Sequence, residues 1–404
     1  MKIKYEFQNE KKPKNIYQKN LIKIFILFNL LEYQKNMVYL RKMMKFIILF
    51  PFKHTNIVLF HLLLNFIFAC IIYSKLKPYY DPELNKIHIK YPEFRRLDKL
   101  SFIRLWIGLS TVFWPRALFF LFLLAFMAFT LNIGKISKYK CIKDLIFSYG
   151  CRFVLVSLGC IIPHKIRYDN KSKEIYKKYL GPDYEINYNK KFSTIVTNHV
   201  SWVESFYYSY LYACGYISKL SAKFLPFVGK MAIYSKTIFC DRHNPQSRAL
   251  AASEIEQRQK GIFNGTNKTQ LAIYPEGTAT NGTHLIKFKR GAFMTCLPIK
   301  PIVEIIDQSE DCTLATGILP LKYHLILASC YLYHNVKFLE LPVLEPTEFM
   351  YEKYKNYGKE KWMIFMNVTK RIMSEISGLK MSEKSFAEKL QYIAEVTGDK
   401  IKGS

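Results

Sequence analysis

The sequence predicts an α/β domain that begins near residue 140 and is preceded by apolar N-terminal helices. Two observations carry this. Downstream of residue 140, short apolar runs alternate with amphipathic stretches, the signature of strands and helices in turn. Upstream, Thr55–Tyr73 and Leu105–Ile133 are each apolar over the length that spans a hydrocarbon core.

Composition supports the division. Half of the 404 residues are hydrophobic and 16% are aromatic, enough to build a sizeable core. The formal net charge of +29 favours anionic partners such as lipid surfaces and phosphate-bearing ligands. The basic residues are scattered, with no zinc-finger spacing, aromatic RNA-binding signature or basic helix before a zipper, so nucleic acid is not an expected partner. The nine cysteines are odd in number and include no CxxC pair, so neither a disulfide framework nor a zinc site is expected. No metal or cofactor is expected, and the oligomeric state is not legible.

Residues 1–54 read as a basic extension without a cleavable signal, with Met37, Met43 and Met44 as alternative starts. Residues 55–134 hold the two membrane-associated segments. In the second, Pro115–Arg116 predicts a break, with a charge at depth. Basic flanks on both sides (Lys90, Arg95, Arg96 and Lys99; Lys135, Lys138, Lys140 and Lys143) favour a kinked, re-entrant or interfacial hairpin over a clean crossing.

Within the α/β domain, residues 135–345, strands are expected at Phe192–Thr197, Thr237–Cys240, Gln270–Tyr274, Ile299–Ile305 and Val336–Leu341. Helices are expected at Trp202–Ala213, Pro245–Lys260 and Lys322–Tyr333. The second has Asn244 as its cap, Pro245 in its first turn and Gly261 at its end. Residues 346–404 form a helical C-terminal region, with helices within 347–377 and 382–397.

Four short blocks carry chemistry. Asn198-His199-Val200-Ser201-Trp202-Val203-Glu204 follows a strand and opens a helix, where α/β folds build sites. A histidine beside a carboxylate is a natural general base. Ser201-x-x-Glu204 also matches a helix capping box, in which the glutamate only bonds back to the helix start. Tyr274-Pro275-Glu276-Gly277-Thr278 ends another strand and suits either a site or a plain turn. Cys240-Asp241-Arg242 offers a guanidinium to a phosphate, or a structural ion pair. Leu297-Pro298-Ile299-Lys300-Pro301 fits a buried strand bounded by prolines.

The four blocks in this order resemble the glycerolipid (PlsC-type) acyltransferase family, with its H-x4-D, arginine-bearing, E-G-T and proline-rich motifs. The resemblance covers about residues 140–345. NHVSWVES, Leu225-Pro226-Phe227-Val228-Gly229 and the run Asn281–Val303 are similar to the lysophosphatidylcholine and lysophosphatidylethanolamine acyltransferase branch. It implies a mixed, mostly parallel sheet flanked by helices and transfer of an acyl group from acyl-CoA to a lysophospholipid at a phospholipid membrane. It implies an endoplasmic reticulum location with the catalytic domain facing the cytoplasm. His199 and Glu204 would be catalytic; Asn198, Arg242, Glu276, Gly277, Thr278 and Pro298 would bind substrate, with Glu276 orienting a hydroxyl or Arg242.

The sequence departs from the family pattern twice. Glu204 stands where the family usually has Asp. Ala279 follows E-G-T where enzymes that bind phosphomonoesters commonly have Arg, which favours a phosphodiester headgroup; Lys287, Lys289 and Arg290 are partial substitutes. The alternatives are a glycerol-3-phosphate or lysophosphatidic acid acceptor, a CoA-independent transacylase, and an inactive membrane homologue.

Overall fold

A computed structural model describes residues 55–132, 140–160, 164–306 and 314–398. The basic extension 1–54 and the lysines at 135 and 138 lie outside the described residues. The chain divides into two units, Met1–Leu64 and Asn65–Ser404, and the second holds the sheet and the site.

In chain order the elements are α1 (Thr55–Leu76), α2 (Asn85–Lys90), α3 (Phe102–Gly108), α4 (Trp114–Asn132), α5 (Lys140–Ser157), β1 (His164–Ile166), α6 (Asp169–Leu180), β2 (Thr194–Thr197), α7 (Glu204–Tyr212), β3 (Ile217–Lys219), α8 (Val228–Tyr234) and β4 (Ile238–Cys240). There follow α9 (Pro245–Asn264), β5 (Ala272–Ile273), β6 (His284–Leu285), β7 (Ile299–Ile306), α10 (Leu321–Ser329), β8 (Val336–Glu340), α11 (Glu348–Lys353), α12 (Lys361–Ser377), β9 (Lys380–Met381) and α13 (Phe386–Thr397).

The main sheet has the order β1-β8-β7-β2-β5. β7 and β8 are antiparallel; the other neighbours are parallel. The expected mixed, mostly parallel sheet is therefore observed. β2 is buried throughout, and only Ile305 of β7 is partly open. Both strands are covered on both faces, as a mostly parallel sheet requires, and the covering also seals Lys300 and Glu304.

Side-chain alternation splits the core into two layers. Ile195, Ile302 and Phe338 face a cluster built with α4, α5 and α7. Val196, Val303 and Leu339 face the opposite cluster, built with α6, α9 and α12. The period of two along each strand thus decides which helices cover which face.

The helix α9 is capped as its sequence predicts. Asn244 Oδ1 accepts the N–H groups of Gln246 and Ser247, and Pro245 occupies the first turn. It runs past Gly261, however, and stops at Gly265, whose φ of +82° is easily reached without a Cβ.

The second apolar segment is not interrupted at Pro115–Arg116, the interruption being one of the two expected outcomes there. Phe102 to Asn132 is one helical run, with a π-turn at Leu109–Phe113 just before Pro115. A wider turn there removes the clash between the proline ring and the preceding carbonyls. Arg116 is not left bare at depth: its guanidinium donates to the carbonyls of Ser329, Tyr331 and Leu332. Two helical runs, Thr55–Tyr80 and Phe102–Asn132, are long and apolar enough to cross a membrane. Leu118, Phe122, Phe126 and Phe129 form an exposed stripe along α4.

Candidate functional site

The site assembles where β2 and β5 end. Thr194–Thr197 is β-branched at every position, favours extended structure, and delivers the chain directly to Asn198 and His199. Asn198 is fully buried, and its amide is used on backbone: Nδ2 donates to the Glu304 carbonyl at 3.0 Å and Oδ1 accepts the Glu304 N–H at 2.8 Å. It ties the histidine loop to β7 and offers nothing to a substrate, which corrects its expected binding function.

His199 Nδ1 is hydrogen-bonded to Glu204 Oε1. The other carboxyl oxygen of Glu204 accepts the N–H groups of Val200 and Ser201, both at 3.2 Å. The two readings of Glu204, helix-start acceptor and histidine partner, are thus both true, one on each oxygen. Glu204 is itself the first residue of α7, so the box spacing predicted from Trp202 is displaced by two residues. The histidine ring lies on Tyr274, with centroids 4.4 Å apart and planes 21° apart. The Glu204 side chain is 0% exposed, whereas that of His199 is 24% exposed. The base is therefore open on one side while its partner is sealed beneath it.

The 274–280 turn locks this loop in place. Gly277 N–H closes the turn on the Tyr274 carbonyl at 3.0 Å, with Gly277 at φ +67°. Glu276 is buried and accepts the His199 N–H at 2.6 Å and the Ile286 N–H at 3.1 Å. Its oxygens are engaged by backbone, so it positions the histidine rather than a hydroxyl or Arg242, contrary to expectation. Thr280 N–H returns a bond to the His199 carbonyl at 2.8 Å.

Arg242 is exposed and reaches the same turn, its Nη1 donating to the Gly277 carbonyl at 3.3 Å. Lys289 lies alongside; a Cβ added at Gly277 would sit 2.6 Å from its Nζ. Burial and the Arg242 charge both push the Lys289 ammonium below its ordinary value. Thr278 is buried within the turn. Pro298 is elsewhere. Ile299 pairs with Thr194 at the start of β2, and the Pro298 carbonyl accepts both the N–H and the Oγ–H of Ser193. With four strand residues between, it sits roughly 13 Å from the histidine end, so its expected place at the site is corrected.

Two residues missed in the sequence face this cluster. Lys389, on α13, is buried, donates to the Ala279 carbonyl at 2.7 Å, and is pushed down to about 8 by burial. Its signal was a lysine on the same helix face as the buried Tyr392 and Val396. The other is Glu304, which shares the buried strand β7 with a second ionisable residue, Lys300.

Burial disfavours charge throughout. It pushes the Glu204 carboxyl up to about 8, against the three hydrogen bonds that hold it ionised. It also pushes His199 down to about 4, assisted by the Lys389 and Arg242 charges. Glu276 is raised to about 8 by burial, despite its two backbone donors. The imidazole is therefore neutral at neutral pH, as a proton acceptor must be. Among the described residues, no group of three or more metal-ligating side chains gathers.

A strand-end histidine, open on one side, bonded to a sealed carboxyl group and flanked by Arg242, Lys289 and Lys389, is an arrangement suited to general-base chemistry. Residues 184–305 match the family model described as Acyltransferase. It is similar to the lysophospholipid acyltransferase LPEAT1 of Arabidopsis thaliana, 24% identical over 207 residues, which are 51% of this chain and 50% of that protein. It is also similar to lysophosphatidylcholine acyltransferase 1 of Homo sapiens, 29% identical over 43% of this chain and 30% of that protein. The chain thus spans about half the length of the first relative and less of the second. The crystal structure of the 1-acyl-sn-glycerophosphate (LPA) acyltransferase PlsC of Thermotoga maritima aligns over 65% of this chain and 94% of that one, at 13% identity and a TM-score of 0.39.

Proposed function

We propose that this protein transfers a fatty acyl group from acyl-CoA to the free hydroxyl of a lysophospholipid at a membrane surface. One observation carries the reading: an imidazole, open on one side, is bonded through Nδ1 to a sealed carboxyl group. With the proton on Nδ1, Nε2 has its lone pair toward the opening. Nε2 takes the acceptor hydroxyl's proton as that oxygen attacks the thioester carbonyl, and Glu204 stabilises the imidazolium. The proton then leaves with the thiolate of CoA.

Arg242 and Lys289 support an anionic acceptor or donor. Two cations held near each other at a turn are stabilised by a bound phosphate. Ala279 supports a phosphodiester headgroup, as in lysophosphatidylcholine or lysophosphatidylethanolamine. Lys389, which donates to the Ala279 carbonyl, is buried and bound to the backbone.

The membrane reading is supported by the apolar helices. Beside the α4 stripe, Ile142, Leu145, Tyr149, Phe153 and Val156 lie exposed along one face of α5. Such a surface holds the site where both lipid substrates partition. Resemblance supports an endoplasmic reticulum membrane, with the site on the cytoplasmic side.

The test is a panel of acceptors with labelled acyl-CoA and the purified chain in lipid nanodiscs. The reading expects lysophosphatidylcholine or lysophosphatidylethanolamine to be acylated in preference to lysophosphatidic acid and glycerol-3-phosphate. Preference for a phosphomonoester would replace the acceptor class, and acyl-CoA binding without turnover on any acceptor would make the chain an inactive homologue.

A further inference from the structure

Glu304 is a buried acid that the mechanism above leaves unused. It lies on β7, and the strand's alternation places it on the same sheet face as Ile302, beneath the start of α7. The residue is 1% exposed, and neither carboxyl oxygen has a hydrogen-bond donor among the described residues. Buried polar atoms are rarely left so. Its backbone is fixed on both sides by the Asn198 amide.

The Asn198 amide holds Glu304 against the histidine loop, and its carboxyl is close enough to that of Glu204 for each to shift the other's proton affinity. Two carboxylates are both acceptors and cannot bond to each other, so one of the pair carries a proton. The neighbours decide which. Glu204 receives donors from His199, Val200 and Ser201, all of which favour its ionised form. Glu304 has none of these, and burial pushes its carboxyl well above the ordinary range.

We propose that Glu304 is a positioning residue: as a neutral carboxylic acid it donates a hydrogen bond to Glu204 and keeps that carboxylate ionised and aligned against His199. The proposal rests on the base reading above and extends the pair to a chain of three. It also accounts for Asn198, which anchors the third member.

The other titratable groups that face Glu304 do not compete for the proton. Cys160 is pushed up to about 12 by burial and by Glu304 itself. Tyr208 and Tyr274 are raised well above their ordinary range, and their hydroxyls pair with Thr197 and Ser205. His199 and Glu204 complete the set.

The experiment measures kcat, KM for acyl-CoA and the pH profile of kcat for the full chain in nanodiscs, as wild type, Glu304→Gln, Glu304→Met and His199→Ala. Glutamine keeps a donor toward Glu204, so its plateau rate stays within about threefold of wild type, the loss of a fraction of one hydrogen bond. Methionine removes the donor. Its kcat falls about tenfold or more while KM holds, as for a lost hydrogen bond to a charged group, and the acid limb moves to higher pH.

An unshifted profile in Glu304→Met, with or without a lower rate, overturns the proposal. So does a loss beyond tenfold in Glu304→Gln, and that variant decides the matter alone if the methionine protein does not fold. His199→Ala separates the two levels. If it keeps activity, the base reading falls; if it is inactive while Glu304→Met behaves as wild type, only the chain of three falls.

Discussion

Replacing Glu204 with Gln probes the charge of the His199 partner with little change in shape. The carboxylate has three acceptor contacts: His199 Nδ1 on one oxygen, and the Val200 and Ser201 N–H groups on the other. A glutamine satisfies the two N–H groups with its oxygen, which turns its NH2 toward His199. Nδ1 must then accept, the ring proton moves to Nε2, and the lone pair that receives the substrate proton is lost. The stabilisation of the imidazolium goes too. Opposite charges about 4 Å apart in a medium of effective dielectric about 20 interact by about 4 kcal/mol. That corresponds to about a thousandfold in kcat at 25 °C. KM should change little, because the charge appears only in the transition state. Acyl transfer from labelled acyl-CoA, with thermal unfolding as the control for folding, measures both. A Glu204→Gln protein that unfolds like wild type and turns over within tenfold of it would refute the charge argument and leave Glu204 as a helix-start acceptor only.

Three further outcomes are expected. Rate and stability should respond to pH in opposite directions between about pH 5 and 8. The raised carboxyls of Glu204 and Glu276 make the native state bind more protons than the unfolded chain, so stability falls as pH rises through about 8, while kcat rises as Glu204 ionises; parallel pH-rate and pH-melting series measure the two. Gly277→Ala places a side chain at φ +67°, which costs about 1–2 kcal/mol, and crowds the Lys289 ammonium; unfolding and acceptor KM should both worsen. Glu340→Ala leaves Lys300, now 2.9 Å from Glu340 and 2% exposed, as a buried charge beside Lys165 and Arg167, and should lose about 3–5 kcal/mol by denaturant unfolding with no effect on the site's pH profile.

Much of the site was legible because its parts are local. His199 and Glu204 are five residues apart, and the 274–278 turn advertises itself by Pro275 and Gly277 after an apolar strand. Helix α9 was read correctly from Asn244 and Pro245, yet its end was misplaced, because Gly261 sits in the helix while Gly265 takes the left-handed turn. What escaped depends on tertiary pairing. The strands at His164, Ile217, His284 and Lys380 are two or three residues long and have no apolar run to announce them. Pro298 directly precedes β7 and Glu304 lies on it, and only the pairing of that strand with β2 shows that the first is far from His199 and the second close to the histidine loop. Lys389 reaches the site from a helix more than a hundred residues downstream of the turn it meets. Glu276 reads from the turn as an exposed, substrate-binding carboxylate, but its partners are backbone N–H groups, which no side-chain pattern reveals.

The central claim is that the His199 imidazole activates the acceptor hydroxyl. The most direct measurement is the rate of labelled phospholipid formation from acyl-CoA and lysophospholipid by the full chain in nanodiscs, wild type against His199→Ala. The account predicts turnover by the wild type and a fall of about a hundredfold or more in the variant, with unfolding unchanged. A variant that forms product at the wild-type rate would contradict it.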